Sequence, residues 1–194
     1  MRTMLAAAFA CLCLQSSAQK PTISIQVAAR ENYLTSYFQK EYKVEYSRPG
    51  GHVAGLANFP LSGKFDLQPG LAVALKGGSF YQSPVNILAV EVPVSLIFKH
   101  NGFFIGAGPG LSYGIYGRTD ESFVQEQDVF DEDCELAMKR LDIQVNATMG
   151  YNLSNHYSIG VLYMKGLRNI SALKSEYTYT NKLSSYGLTL TYHF

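Results

Sequence analysis

Through most of this chain hydrophobic side chains recur at every second position, a period that fits strands and excludes amphipathic helices. The last segment shows it most plainly: Tyr186, Leu188, Leu190, Tyr192 and Phe194 share one face, and Gly187, Thr189, Thr191 and His193 the other. Around 64–77, Phe65, Leu67, Leu71, Val73 and Leu75 oppose Asp66, Gln68, Gly70, Ala72 and Ala74. In 86–99, Leu88, Val90, Val92, Val94, Leu96 and Phe98 stand against Glu91, Ser95 and Lys99. Segments 102–116 and 139–151 alternate likewise, the second setting Leu141, Ile143, Val145 and Met149 against Asp142, Gln144 and Asn146. Weaker strands near 22–29, 51–59 and 156–165 bring the expected number to eight.

The connections carry a second pattern. Pro60–Gly63, His100–Gly102 and Asn152–Asn155 are tight turns, whereas 30–50, 78–85, 117–138 and 166–181 are longer links. Alternation of the two kinds places them at opposite ends of an antiparallel, up-and-down sheet. Transmembrane barrels are built this way, with short periplasmic turns and longer outer loops. The expected fold is therefore all-β: an eight-stranded antiparallel up-and-down transmembrane β-barrel.

Alternation alone does not say which face points outward, since a soluble barrel shows the same period with its apolar side enclosed. The polar face decides. A water-facing sheet carries many Lys and Glu, but only 16% of this chain is charged, against roughly 25% in ordinary soluble domains. Its polar positions are mostly Gly, Ser, Thr, Asn, Gln and Ala, which suit the interior of an eight-strand barrel. The few charges there, Asp66, Lys76, Glu91, Lys99 and Asp142, are expected to form a lumen salt-bridge network, because buried charge must be paired. Aromatic residues flank the tight turns: Phe59 and Phe65, Phe98 and Phe103, Tyr151 and Tyr157, with Phe194 at the end. Tyr113 lies ten residues beyond Phe103, a rise of about 26 Å for a strand tilted near 40°, which matches an apolar band ~25 Å tall. Ile23, Ile25 and Val27 supply a first strand able to pair with the last and remove the edges. Pro69, Pro93 and Pro109 interrupt strands that a closed barrel cannot leave unpaired, so bulges are expected there.

The amino terminus reads as a secretory signal peptide, residues 1–18. Arg2 precedes an apolar run from Met4 to Leu14, and small residues at Ser16 and Ala18 direct cleavage between Ala18 and Gln19. That run is too short for a spanning helix, which needs roughly 20 residues. Residues 19–194 form the barrel domain. Loss of Arg2 from sixteen basic residues leaves fifteen, against fifteen acidic ones. Such a balance gives no field to attract nucleic acid. Cys11 and Cys13 leave with the peptide, so Cys134 has no partner for an intramolecular disulfide and is expected to be a bystander in a loop.

Four stretches carry a resemblance: Phe65-Asp66-Leu67-Gln68-Pro69-Gly70-Leu71, Val90-Glu91-Val92-Pro93-Val94, Gly106-Ala107-Gly108-Pro109-Gly110-Leu111 and Tyr163-Met164-Lys165-Gly166-Leu167-Arg168-Asn169-Ile170. In order and spacing the chain resembles the PorT-like family of outer-membrane β-barrel domains over most of residues 22–194. The resemblance implies an integral protein of the outer membrane of a Gram-negative cell. Through the family's namesake it also implies a link to type IX secretion, with secretion or surface proteins as partners. Phe194, preceded by Tyr192, Leu190, Leu188 and Tyr186, also looks like the β-signal that the barrel-assembly machinery reads. Outer-membrane lipid is the remaining expected partner.

Candidate chemistry is sparse. Eight acidic residues crowd Asp120 to Glu135, and Asp128, Asp131 and Asp133 offer the oxygen ligands a Ca²⁺ ion takes. Their spacing lacks the EF-hand turn glycine, and a solvated acidic loop is the expected reading. Gly106, Gly108 and Gly110 precede no helix, so they are no dinucleotide fingerprint. His52, His100, His156 and His193 share no ligand spacing, and no Ser–His pattern singles out an active site. The expectation is a monomer with no cofactor, no metal and no enzymatic activity, acting structurally or through its exposed loops. The alternatives are an enzyme that modifies outer-leaflet lipid and a small-solute pore; eight strands leave no aqueous bore for the latter.

Overall fold

The computed structural model describes residues 20–38, 42–80, 83–119, 127–131, 134, 137–172 and 179–194. The signal peptide and its cleavage pair Ala18 and Gln19 lie outside these. The described residues form nine strands: β1 (Thr22–Phe38), β2 (Tyr42–Ser62), β3 (Phe65–Phe80), β4 (Ser83–His100), β5 (Phe103–Thr119), β6 (Gln127–Asp128), β7 (Leu141–Asn152), β8 (Tyr157–Gly166) and β9 (Tyr179–His193). Each long strand pairs antiparallel with its neighbours, and β1 pairs with β9, so eight strands close into a ring. The two-residue β6 lies against the upper end of β5.

The registers fix the shape of the ring. Followed in register from Ser24, the strands come level at Leu56, Gly70, Pro93, Gly110, Gln144, Gly166 and Leu183, the Gly70–Pro93 and Gly166–Leu183 steps being set by the pairs next to them, and return to β1 at Leu34, ten residues on. With strands ~4.7 Å apart and a rise of ~3.3 Å per residue, that stagger tilts them by about 41°.

The exterior is the apolar face. Leu188 is 70% exposed, Leu71 61% and Val73 51%, values that make sense only against hydrocarbon. Its lower rim is an aromatic ring in mutual contact: Phe65 with Phe98, Phe103 with Tyr151, and Tyr157 with Tyr192, at centroid distances of 5.2, 4.8 and 5.2 Å. Tyr192 also meets Phe194 at 5.0 Å. Eight to fifteen residues from that rim, outward positions turn polar, at Asn86, Arg118, Lys139 and Lys165, which marks the second boundary. All five residues of the proposed assembly signal point outward along β9.

Turn chemistry explains the lower end. Between β4 and β5 the loop is Asn101-Gly102, with φ of 49° and 83°. A two-residue loop with both φ values positive matches the twist of its strands, and Asn-Gly is the sequence that adopts it most easily.

Three expectations from sequence need correction. First, 30–50 and 78–85 are not loops: β1 and β2 continue to Phe38 and from Tyr42, and β3 and β4 to Phe80 and from Ser83. Above the lipid boundary a ribbon is wetted on both faces, so apolar–polar alternation fades while strand pairing persists. Second, no register shift occurs at Pro69, Pro93 or Pro109. The pairing lapses for two residues beside each proline, toward β2, β3 and β4 respectively, and resumes in register. The bulges fall instead between Pro60 and Ser62, and opposite Leu88–Ala89, where Ile115 is the extra residue. Third, Cys134 is no loop bystander: it is buried in an apolar cluster at the upper mouth.

Candidate functional site: a lumen sealed above and open below

Barrels of this kind carry their short turns on the periplasmic side, which makes the Asn101-Gly102 end the lower one. Strand parity turns Arg30, His52, Lys76, Glu91, Ser112, Asp142, Gln144 and Asn146 into the lumen, and all are buried. Glu91 is the hub. Its carboxylate accepts from Arg30 Nη2 at 2.6 Å and from Lys76 Nζ at 2.8 Å, with all three side chains at most 4% exposed. Lys76 also donates to Ser112 Oγ and Gln144 Oε1, both at 3.2 Å. Arg30 reaches the ring of His52, and His52 Nε2 bonds Gln26 Oε1 at 3.1 Å. Gln26 Nε2 then donates to Thr191 Oγ1 at 3.1 Å. A continuous hydrogen-bonded chain thus runs from the lower mouth to the buried charges.

The expected network is only partly assembled. Lys76 and Glu91 meet, but Lys99 pairs with Asp66 at 2.6 Å in a separate cluster near the lower mouth. Asp142 is buried and joins neither ion pair, its carboxylate facing the backbone N–H groups of Arg168 and Ile143. Arg30, which completes the Glu91 site, falls in the 30–50 segment that reads as a link in the sequence. The signal was present: Ser24, Gln26 and Arg30 continue one parity.

Above the charges the lumen is closed by an apolar cap. Val129, Cys134, Ala137, Met138 and Ile170 cover Leu34, Val85, Ile87, Ala89 and Leu183. Backbone bonds stitch the cap together, Met138 N to Val129 O at 2.7 Å and Ala172 N to Ala137 O at 2.8 Å. The Phe130 ring packs on Gly114 and Gly117, where a β carbon would collide with it, and the Arg140 guanidinium lies over it at 4.4 Å. Of the acidic loop, Asp120, Glu121, Glu126, Glu132, Asp133 and Glu135 lie outside the described residues. Asp128 is exposed, accepts from Phe130 N at 2.9 Å and faces Arg140 at 3.8 Å. Among the described residues no group of three His, Cys, Asp or Glu is placed to hold a metal ion.

Below the charges the lumen opens. A void of about 30 Å³ beside His52, Glu91 and Asn146 leads toward a polar vestibule of about 320 Å³, lined by residues that include Asn58, Asp66, Gln68, Lys99, Phe104 and His193. The fold here unites residues far apart in sequence. His193 lies between Ser24 Oγ, 2.9 Å from Nδ1, and Ser158 Oγ, 3.0 Å from Nε2. Asn58 Nδ2 donates to Ser24 Oγ at 3.0 Å, and Gln68 Nε2 to Asn58 Oδ1 at 2.6 Å. No local pattern signalled this cluster, because its members come from five strands.

The ring, its stagger and its exterior invite comparison with known barrels. Attachment invasion locus protein Ail of Yersinia pestis superposes with a TM-score of 0.50 at 14% identity, over 91% of this chain and 100% of that one. Neisserial surface protein A gives 0.53 at 8% identity, with the same coverage of both chains. The fold is that of an outer-membrane β-barrel. With its lipid-facing exterior, that fold makes the chain an integral outer-membrane protein, as expected. No family model matches it, and neither does any curated protein.

Proposed function

We propose that this barrel is a membrane anchor that presents a docking strand at the cell surface, in line with the structural or interactive role read from the sequence. One observation carries the reading. Above the lipid boundary β9, β1 and β2 extend as a three-stranded ribbon: Arg30–Phe38 pair with Tyr179–Gly187 of β9, and Tyr42–Gly50 of β2 pair with Arg30–Phe38 on one side. On the other side β3 joins β2 only from Gly51 downward, so among the described residues the upper edge of β2 is unpaired. An open edge offers backbone donors and acceptors in strand register, and what satisfies such a row is another extended backbone. Lys43 and Glu45, ion-paired on the ribbon, limit indiscriminate pairing.

The occupant we favour is an extended segment of a secreted or surface protein. The PorT-like resemblance supports this and, more specifically, a link to type IX secretion. The sealed cap and the Arg30–Glu91–Lys76 cluster count against a passive pore. A photo-crosslinking residue at exposed Ser47, compared with one at Asn155 on the lower turn, tests the reading in intact cells. A protein adduct specific to position 47, lost when Tyr46→Pro interrupts the edge, is expected. Equal capture at both positions, or capture of lipid alone, refutes it.

A further inference from the structure

On the outward face of β7, β8 and β9 we infer a binding site for a phosphate-bearing lipid of the outer leaflet. Four cations carry it: Lys139, Lys165, Arg168 and Lys182. Backbone bonds bring them together. Lys139 N donates to Ile170 O at 2.7 Å, and Ile170 N to Asn181 O at 3.0 Å, beside Lys182. Lys165 pairs with Ser184, two residues from Lys182, and Arg168 lies between Lys165 and Ile170 on the same segment. The patch is therefore two strand spacings across, about 10 Å.

Lack of a counter-charge sets these four apart. Other cations at the upper end have partners: Lys43 pairs with Glu45, Arg140 faces Asp128 and covers Phe130, and Arg118 lies over Tyr116. Lys139, Lys165 and Arg168 are exposed and Lys182 is half-buried, and none has an ion-pair partner among the described residues. Glu31, an outward carboxylate on β1, falls four residues below Lys182 in register and one strand away. An unneutralised cluster of this kind suits a multivalent anion, and phosphate oxygens accept from ammonium and guanidinium groups alike.

Height and surroundings make that anion a lipid headgroup. Lys165 and Lys182 stand eight and ten residues above Tyr157 and Tyr192 of the lower aromatic rim. At a tilt of about 41° the rise is about 20 and 25 Å, which reaches the top of an apolar band ~25 Å tall. Lysine stems lie along apolar surface there while their ammonium groups sit among headgroups. Below them the wall is exposed hydrocarbon, including Ile143, Val145 and Leu188. A groove of about 500 Å³ continues downward from Tyr163 and Tyr186, past Val161 and Met149 and over the paired Ala107 and Ala147. Cations above and a seat for an acyl chain below match the two ends of one lipid molecule. A soluble phosphate or an acidic protein segment would use the upper end alone.

The test uses the mature barrel in phosphatidylcholine nanodiscs doped with lipid A, either fully phosphorylated or enzymatically dephosphorylated. Native mass spectrometry counts the glycolipid retained. Saturable retention of one phosphorylated lipid A per barrel is expected, with the dephosphorylated form held at least tenfold more weakly. At roughly fivefold per cation near an anionic membrane surface, Lys165→Ala combined with Lys182→Ala should weaken retention at least tenfold. Lys43→Ala combined with Lys64→Ala removes the same charge elsewhere and should leave it unchanged. Ala147→Phe, which fills the groove, should also weaken it. Equal retention of the two lipids, equal losses in the two lysine pairs, or indifference to Ala147→Phe overturns the inference. So does a polyglutamate peptide held as tightly as the lipid. The outcome is independent of the surface-docking reading, which rests on the edge of β2.

Discussion

Replacing Glu91 by Ala tests the lumen electrostatics most directly. Glu91 is 1% exposed and neutralises two cations, Arg30 at 2.6 Å and Lys76 at 2.8 Å. At an effective dielectric constant near 20, an opposite charge at 4 Å is worth about 4 kcal/mol. Removal of one partner from a buried pair costs about 3–5 kcal/mol, chiefly because the other is left uncompensated. Glu91→Ala should therefore destabilise the barrel by about 3–5 kcal/mol. At a urea dependence of ~2 kcal/mol per molar, the midpoint falls by about 2 M. Arg30→Met or Lys76→Met should each cost less, because the remaining cation still pairs with Glu91. The chain has no Trp, so urea unfolding from lipid vesicles is followed by far-UV circular dichroism and by the gel mobility of unheated samples. A Glu91→Ala loss under 1 kcal/mol, or one smaller than that of Lys76→Met, refutes the reasoning.

Leu71→Arg, on an outward side chain 61% exposed near the middle of the band, should cost about 2–4 kcal/mol in the same unfolding assay, the penalty for Arg at a bilayer midplane; Ser47→Arg, above the boundary, should leave stability unchanged. Gly102→Ala forces a β carbon onto a residue at φ 83° and within 2.9 Å of the Tyr151 ring; a loss of about 1–2 kcal/mol is expected from the left-handed backbone alone. Cys134, 4% exposed, should resist maleimide in the folded barrel and react fully in urea, as read by intact mass; prompt labelling of the folded protein would mean the cap is open. In planar bilayers the sealed lumen should give no steady conductance.

The barrel was legible because lipid and lumen impose opposite demands on alternate residues, and Leu188 against Thr189 states both. Legibility ended where that contrast ended. Above the boundary Glu31, Tyr33 and Thr35 carry no apolar signal, so the upper half of β1 reads as a loop and Arg30, at the start of that half, is lost with it. The ion pairs failed for another reason: Lys99 and Asp66 lie 33 positions apart, and only the stagger of β3 against β4 determines which inward charges come level. The cap depended on side chains such as Val129 and Ile170, whose hydrophobicity in an irregular segment specifies burial but not where. The His193 cluster needed the closure of β9 on β1.

The three interrupted pairings beside Pro69, Pro93 and Pro109 fall one step apart on successive strands: Pro69 faces Ala57, Pro93 faces Gly70 beside it, and Pro109 faces Val94 beside Pro93. They trace an oblique line of missing rungs across one side of the wall. A cylinder with such a scored line has a preferred place to tear. Under mechanical pulling from either rim, rupture should begin between β2 and β5 and leave the β7–β9 staves joined, so that the barrel opens as a sheet before its strands come apart.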